Sequence, residues 1–210
     1  ISARKEGDPE QALGQAARRL SAEYDVPYLA HATMEPLNCT VDLKTDTCDI
    51  WTGTQFQTID RNSAAVVAGL RPEQVRIHTT YLGGGFGRRA NPQSDFVVEA
   101  VEVAKAARKP VKVVWTREDD TRGGYYRPMW YDRIAAGLDA DGNPIAWAHT
   151  IVGQSIMAGT AFEAMIKDGV DPASVEGARE IPYKIPNILV DLHSPKIGVP
   201  VQWWRSVGHS

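Results

Sequence analysis

Cysteine is almost missing from this chain: its 210 residues contain two, Cys39 and Cys48. They have neither C-x-x-C spacing nor a companion histidine cluster, which excludes an iron–sulfur cluster or structural zinc held by these residues. A disulfide between them would close a short hairpin-like segment; two buried or half-buried thiols are the favoured reading. Long apolar runs are absent too, and nothing approaches the roughly 18 residues that cross a bilayer. Basic residues are scattered and the formal net charge is −3, so there is no electrostatic footprint for nucleic acid and no polybasic membrane anchor. Repeats and low-complexity tracts are lacking. The start, Ile1-Ser2-Ala3-Arg4-Lys5, has neither a signal-peptide layout nor an initiator Met, and the chain stops at Ser210 directly after a candidate site motif. The expectation is a piece of a longer chain.

What is present is a glycine cluster. Gly83-Gly84-Gly85-Phe86-Gly87-Arg88-Arg89 follows the apolar run Val75 to Leu82. Consecutive glycines cost conformational entropy and belong where positive φ or close backbone approach is needed. The spacing fits neither G-x-G-x-x-G nor G-x-x-x-x-G-K-[ST], so the Rossmann and P-loop readings fail. A ligand cradle and a plain strand-to-helix turn both stay open. Arg88 and Arg89 could meet phosphates or acidic neighbours on the surface.

The pattern along the chain predicts an α+β fold of mixed sheets with packed helices. Asp8-Pro9-Glu10 starts a helix that the spacing of Ala12, Leu13, Ala16, Ala17 and Leu20 extends into residues 1–25, and residues 26–210 form the core. Strands are expected at Val26 to Ala30, Cys48 to Gly53, Val75 to Leu82, Val111 to Trp115 and Ile188 to His193. Helices are expected at Asn62 to Leu70 and Ser94 to Arg108, with a short one at Thr160 to Asp168. Arg117 to Asp120 reads as a charged loop and Val175 to Pro186 as irregular. Asp132 to Leu138 and Ile145 to Val152 flank turn residues that mark a hairpin. No clear linker appears, though the aromatic stretch Tyr125 to Trp130 suits a surface loop facing another domain.

Three further segments carry chemistry: His31-Ala32-Thr33-Met34-Glu35-Pro36, Trp51-Thr52-Gly53-Thr54-Gln55, and Trp203-Trp204-Arg205-Ser206-Val207-Gly208-His209-Ser210. His31 and Glu35 could form an acid–base pair, but Pro36 favours a loop and a hydrogen-bonded support role. His78, His149 and His193 fall on separate strands without metal-site spacing and read as solvated or satisfied residues.

In this order and spacing the four motifs resemble the xanthine dehydrogenase and aldehyde oxidase family, from about residue 26 to the C-terminus. Met34 to Cys39 and Trp203 to Ser210 resemble more narrowly the branch holding the isoquinoline 1-oxidoreductase large subunit and its aldehyde dehydrogenase relatives. The resemblance implies part of a molybdopterin-binding domain, with molybdenum–molybdopterin in its cytosine dinucleotide form and no metal ligated by protein side chains. It places Gln55 beside molybdenum, the backbone of Phe86 and Gly87 near the metal's apical oxygen, and Phe86 on the wall of the substrate channel. Arg205 lines the cofactor pocket and polarises substrate, while Gly84, Gly85 and Arg88 join the cofactor-binding set; Trp203 and Trp204 could shape an aromatic channel. Many xanthine-oxidising members carry Glu just after the Phe-Gly pair, where this chain has Arg88, Arg89 and Ala90; that argues against xanthine and leaves aldehydes and N-heterocycles.

The implied reaction is hydroxylation with water as oxygen source, electrons leaving through iron–sulfur clusters on a small [2Fe-2S] partner subunit, with a cytochrome c as a further option. The family's glutamate base lies in a downstream Gly-x-Gly-Glu segment absent here, so this stretch alone is expected to be inactive. Bacterial periplasm and cytoplasm stay open as compartments. A scaffold domain that has lost catalysis, and an unrelated α+β anion-binding module, remain alternatives.

Overall fold

The computed structural model describes residues 1–209. The chain forms two compact units, one of residues 1–29, 126–201 and 206–209, the other of residues 30–125 and 202–205. Mixed sheets with packed helices give the α+β class that the sequence predicts.

The first unit is a five-stranded sheet in the order β1 (Ser2–Glu6), β11 (Asn187–His193), β10 (Pro144–Gly153), β9 (Trp130–Leu138), β2 (Arg18–Val26). Only the β10–β11 pair is parallel. Asp139 closes the predicted β9–β10 hairpin, its Oδ1 accepting from Asp141 N at 3.0 Å and Asn143 N at 2.8 Å. Ile151, Ile188, Val190 and Leu192 pack with Val175 and Ile185 in the core.

Helix α1 (Pro9–Gln15) begins as expected, with Asp8 accepting from Gln11 N at 3.0 Å and Pro9 in the first turn. It ends ten residues short of the reading. Residues Arg18–Val26 form β2, paired along their whole length with β9. The reason is visible afterwards: Leu20, Ala22, Tyr24 and Val26 alternate with Arg19, Ser21, Glu23 and Asp25, a period of two that overlaps the helical spacing before it. The helix expected at Thr160 to Asp168 shrinks to the 3₁₀ turn Glu163–Met165. Two-residue strands β3 (Leu29–Ala30) and β8 (Tyr126–Arg127) stand where the chain passes from one unit to the other.

The second unit has a four-stranded sheet in the order β6 (Val75–Thr79), β5 (Cys48–Thr52), β4 (Asn38–Leu43), β7 (Val111–Val114). Strands β5 and β6 are parallel and joined through α2 (Gln57–Ala68), which ends at Gly69 with φ 72°. Helix α3 (Asp95–Ala107) matches its prediction. Phe96, Val97, Ala100, Val101 and Ala104 form its buried face, against Leu37, Val41, Ile50 and Val75. Cys39 and Cys48 are free and buried; Leu43 faces Cys48 across the β4–β5 pair, which leaves Cys39 four residues farther along β4. Burial pushes their thiols up, to about 12 and about 11. The charged segment read as a loop is helix α4 (Arg117–Arg122), started by reciprocal Thr116–Asp119 capping bonds.

Candidate functional site

The second unit brings three of the motifs and residues Trp203 to Arg205 of the fourth together around the glycine loop after β6. Gly84 and Gly87 take φ of 102° and 101°, and Phe86 itself sits at 52°, a conformation that a large side chain adopts only under constraint. Arg88 N donates to Gly85 O at 2.9 Å and Ala90 N to Gly87 O at 3.0 Å, so the loop is a run of tight turns.

The space beside the glycines is filled by the other motifs. A Cβ on Gly83 would stand 2.5 Å from Glu35 Cβ, one on Gly85 2.4 Å from Gln55 Oε1, and one on Gly87 2.6 Å from Trp203 O. Gly83 and Gly87 are thus needed because a Cβ or backbone atom of a different motif lies against them, while at Gly85 a side chain would displace the Gln55 carboxamide. Gln55 is fixed at both ends: its N donates to Arg89 O at 3.0 Å, and its Oε1 accepts from Gly87 N at 3.2 Å. Because an N–H can only donate, this contact assigns the carboxamide orientation and leaves the NH₂ end as the donor for a ligand. The Gln55 side chain is exposed.

Residues 202–205 are stitched to the same loop. Gln202 Nε2 donates to Gly87 O at 3.1 Å and Arg205 N to Phe86 O at 2.8 Å. Asn91 Nδ2 donates to Gln202 Oε1 at 2.8 Å, both residues being buried. The Phe86 ring, 41% exposed, lies 6.4 Å from Trp204 at an interplanar angle of 18°. Trp204 stacks in turn on His31 at 4.6 Å. Arg205 is exposed.

His31 and Glu35 have separate partners, as a support role requires. His31 is buried, its Nε2 3.1 Å from Trp203 O, and burial lowers its pKa to about 4, so it is neutral near pH 7. Glu35 accepts from Gly83 N at 2.8 Å and Asn38 Nδ2 at 2.9 Å. Burial opposes its charge, but these bonds and the Arg89 and Lys112 charges hold it below the usual carboxylate range.

Arg88 and Arg89 are the residues whose partners the sequence left open. Arg88 is 2% exposed and grips Asp95 at the start of α3 with bonds of 3.1 and 2.5 Å, between Trp115 and Tyr125. Arg89 is fully buried. Its guanidinium donates to Gly84 O at 2.8 Å, Gly53 O at 3.2 Å, Glu35 O at 3.0 Å and Glu35 Oε2 at 2.9 Å, tying three motifs to one side chain. Arg117 adds bonds of 2.6 and 2.7 Å to the carbonyls of Thr33 and Met34, and pairs with buried Asp120 at 3.1 Å. Both arginines thus meet acidic neighbours, but as buried side chains rather than on the surface. The roles of Arg117, Asp120, Asn91 and Gln202 escaped the sequence reading; the Thr116-x-x-Asp119 capping box was the one local signal pointing to α4.

His78 contacts Asp49 at 2.8 Å and stacks on Trp51, His149 contacts Asp132 at 2.8 Å, and His193 is exposed. Among the described residues no group of three or more His, Cys, Asp or Glu side chains could hold a metal ion, and no helix is long and apolar enough to cross a membrane.

The molybdopterin cofactor-binding domain family matches residues 1–208. Isoquinoline 1-oxidoreductase subunit beta of Brevundimonas diminuta is 32% identical over 193 residues, covering 90% of this chain and 24% of that protein. The aldehyde oxidoreductase molybdenum-binding subunit PaoC of Escherichia coli (strain K12) is 30% identical over 159 residues, 76% of this chain and 22% of its own length. Among solved structures, quinoline 2-oxidoreductase from Pseudomonas putida 86 superposes with a TM-score of 0.75 at 17% identity, over 100% of this chain and 26% of that one. Aldehyde oxidoreductase from Desulfovibrio gigas does so with a TM-score of 0.69 at 20% identity, over 99% and 22%. At such identities the structures share the fold, and the chain spans about a quarter of the length of the curated relatives it matches. With the family matched over nearly every residue and its motifs converging on one loop, the chain belongs to the molybdopterin cofactor-binding domain family, of the xanthine dehydrogenase and aldehyde oxidase type.

Proposed function

We propose that this chain forms one wall of the cofactor and substrate site in a longer molybdenum hydroxylase, which hydroxylates an N-heterocyclic aromatic or oxidises an aldehyde with water as oxygen source. The observation that carries the reading is the Gln55 carboxamide, held by Gly87 N–H and seated against Gly85, in a chain of this family. The residues present suit a molybdopterin: a fixed donor amide and an exposed arginine from two other segments are bonded to the loop that carries an exposed aromatic residue. When bound, that group supplies the two-electron oxidation chemistry.

Gln55 then offers its NH₂ end to the cofactor. Phe86 with Trp204 gives a flat apolar surface for an aromatic substrate. Arg205, anchored by its backbone to Phe86 O, presents positive charge that would favour charge building on a substrate heteroatom. Gly84, Gly85 and Gly87 keep the loop narrow, while Arg88 and Arg89 brace it from within. Arg88, Arg89 and Ala90, standing where xanthine-oxidising relatives carry Glu, support aldehydes or N-heterocycles over xanthine. The general base, the cytosine dinucleotide extension, the [2Fe-2S] partner and any cytochrome c belong to the longer assembly, and this chain alone is inactive.

The test is made on the complete protein with its iron–sulfur partner. About one molybdenum and one pterin per subunit are expected from the family's cofactor. Gln55→Ala should lower kcat by about 10²- to 10³-fold with metal content kept, as loss of an oriented donor does elsewhere. A folded preparation without molybdenum would overturn the reading, and unchanged kcat at full metal content would remove Gln55 from the site.

A further inference from the structure

The first unit carries a cleft of about 360 Å³ that the molybdopterin reading does not use. Its floor follows from strand alternation. Even-numbered β9 residues face the same side as odd-numbered β10 residues, which puts Trp130, Asp132, Trp147 and His149 on one sheet face. Gly153 lies opposite Trp130, where a Cβ would stand 2.0 Å from the indole, so the glycine gives that ring its place. Asp132 Oδ1 and His149 Nε2 are 2.8 Å apart. The facing wall carries Glu176, whose carboxylate meets Gly208 N at 3.1 Å and His209 Nδ1 at 3.4 Å.

Two features point to a ligand. Ser174 is 6% exposed and lines the cleft, yet its Oγ has no hydrogen-bond partner among the described residues; the buried Trp147 Nε1 has none either. Buried polar atoms are normally paired, so a hydroxyl and an N–H left over beside a cavity ask for an outside partner. The second feature is charge: the lining holds two carboxylates and two indoles, with no Lys or Arg, and its two histidines, His149 and His209, each lie against one of the carboxylates. Such a surface disfavours phosphates and carboxylates, while carboxylates and tryptophan both attract an organic cation.

We propose that this cleft binds a small organic ammonium bearing a neighbouring oxygen. The positive charge is matched by Asp132 and Glu176, the alkyl surface meets the indoles, and the oxygen takes up the Trp147 N–H or the Ser174 hydroxyl. The lining residues all belong to the first unit and none is among the site residues of the molybdenum reading, so failure of this assignment leaves that reading untouched.

Choline and its neutral isostere 3,3-dimethylbutan-1-ol are titrated into the complete protein by calorimetry. Saturable choline binding at least about tenfold tighter than the isostere is expected, the difference being the charge. Glu176→Gln should weaken choline about tenfold at unchanged Tm and molybdenum content, because its side chain is half exposed and carries charge rather than core packing. Trp147→Phe, which keeps a ring and removes the N–H, should weaken choline severalfold and leave the isosteric pair's ranking intact. No saturable choline binding, equal binding of the isostere, or indifference to Glu176→Gln in a folded protein would each overturn the assignment.

Discussion

Arg89 is the residue whose removal should loosen the glycine loop most. Its guanidinium is fully buried and serves four acceptors, three of them backbone carbonyls. Arg89→Met leaves the Gly84 and Gly53 carbonyls without their donor, while Glu35 keeps Thr33 Oγ1 at its carbonyl and Gly83 N at Oε2. Breaking a buried charged contact from one side costs about 3 to 5 kcal/mol, and the lower end applies because Glu35 is 36% exposed and can recruit water. About 3 kcal/mol corresponds to roughly a hundredfold in an opening equilibrium. Hydrogen exchange in the complete protein reads this locally: the amides of Gly83, Gly87, Arg88 and Ala90, all bonded within the site, should lose about a hundredfold in protection. Arg89→Lys keeps the charge but not the planar fork, and should fall between, near tenfold. Arg76, which pairs with Asp49 from an exposed position on β6, is the control and should leave these amides unchanged. Protection in Arg89→Met within about twofold of the unaltered protein would refute the argument that one side chain holds the motifs together.

Two further outcomes follow from the same geometry. Gly85→Val places a branched side chain where Gln55 Oε1 lies 2.4 Å from a Cβ, so the carboxamide must leave; molybdenum per folded molecule should drop while Tm changes less, and full occupancy in a folded variant would count against Gly85 as part of the cofactor wall. Burial lowers the His31 pKa to about 4 from 6.5, so below pH 6.5 the unfolded chain takes up a proton that the folded one refuses. Stability conferred by this residue is complete above pH 6.5 and is lost as pH falls toward 4, by at most about 3 kcal/mol. Loop protection in His31→Gln should therefore fall less steeply over that window, and an unaltered slope would remove His31 as the cause.

Where the sequence was legible, the signal was local. Helix α3 declared itself by apolar residues at helical spacing, and the β9–β10 hairpin by Asp139, Gly142 and Asn143 between two apolar runs. Strand β2 misled because Leu20 satisfies two periods at once, closing a helical series behind it and opening an alternating one ahead; pairing with β9, more than a hundred residues later, decides between them. No window of neighbouring residues contains that fact. Motif order brought Gln55, Gly83 to Gly87 and Arg205 forward as one site; in the structure Gln55 and Arg205, from two other segments, are hydrogen-bonded to the backbone of the glycine loop.

What spacing could not supply is the reason for the glycines. Sequence says only that bare backbone is needed, for which a ligand and a turn are equally good causes; the structure gives a third, that Glu35, Gln55 and Trp203 each lie against it. The same holds for the charges. Arg88, Arg89 and Arg117 face Asp95, Glu35 and Asp120, three cations against three carboxylates contributed by separated segments. As a sequence, Arg88-Arg89 reads like a phosphate clamp, because pairing with acids brought in by folding leaves no mark on neighbouring positions. A loop braced in this way carries its exposed groups, Gln55, Phe86 and Arg205, on backbone whose charged contacts are made beneath them by the buried arginines. Substitution of the buried arginines should therefore act first on the loop, whereas Gln55→Ala acts on the chemistry and, through the lost acceptor of Gly87 N–H, on the loop as well.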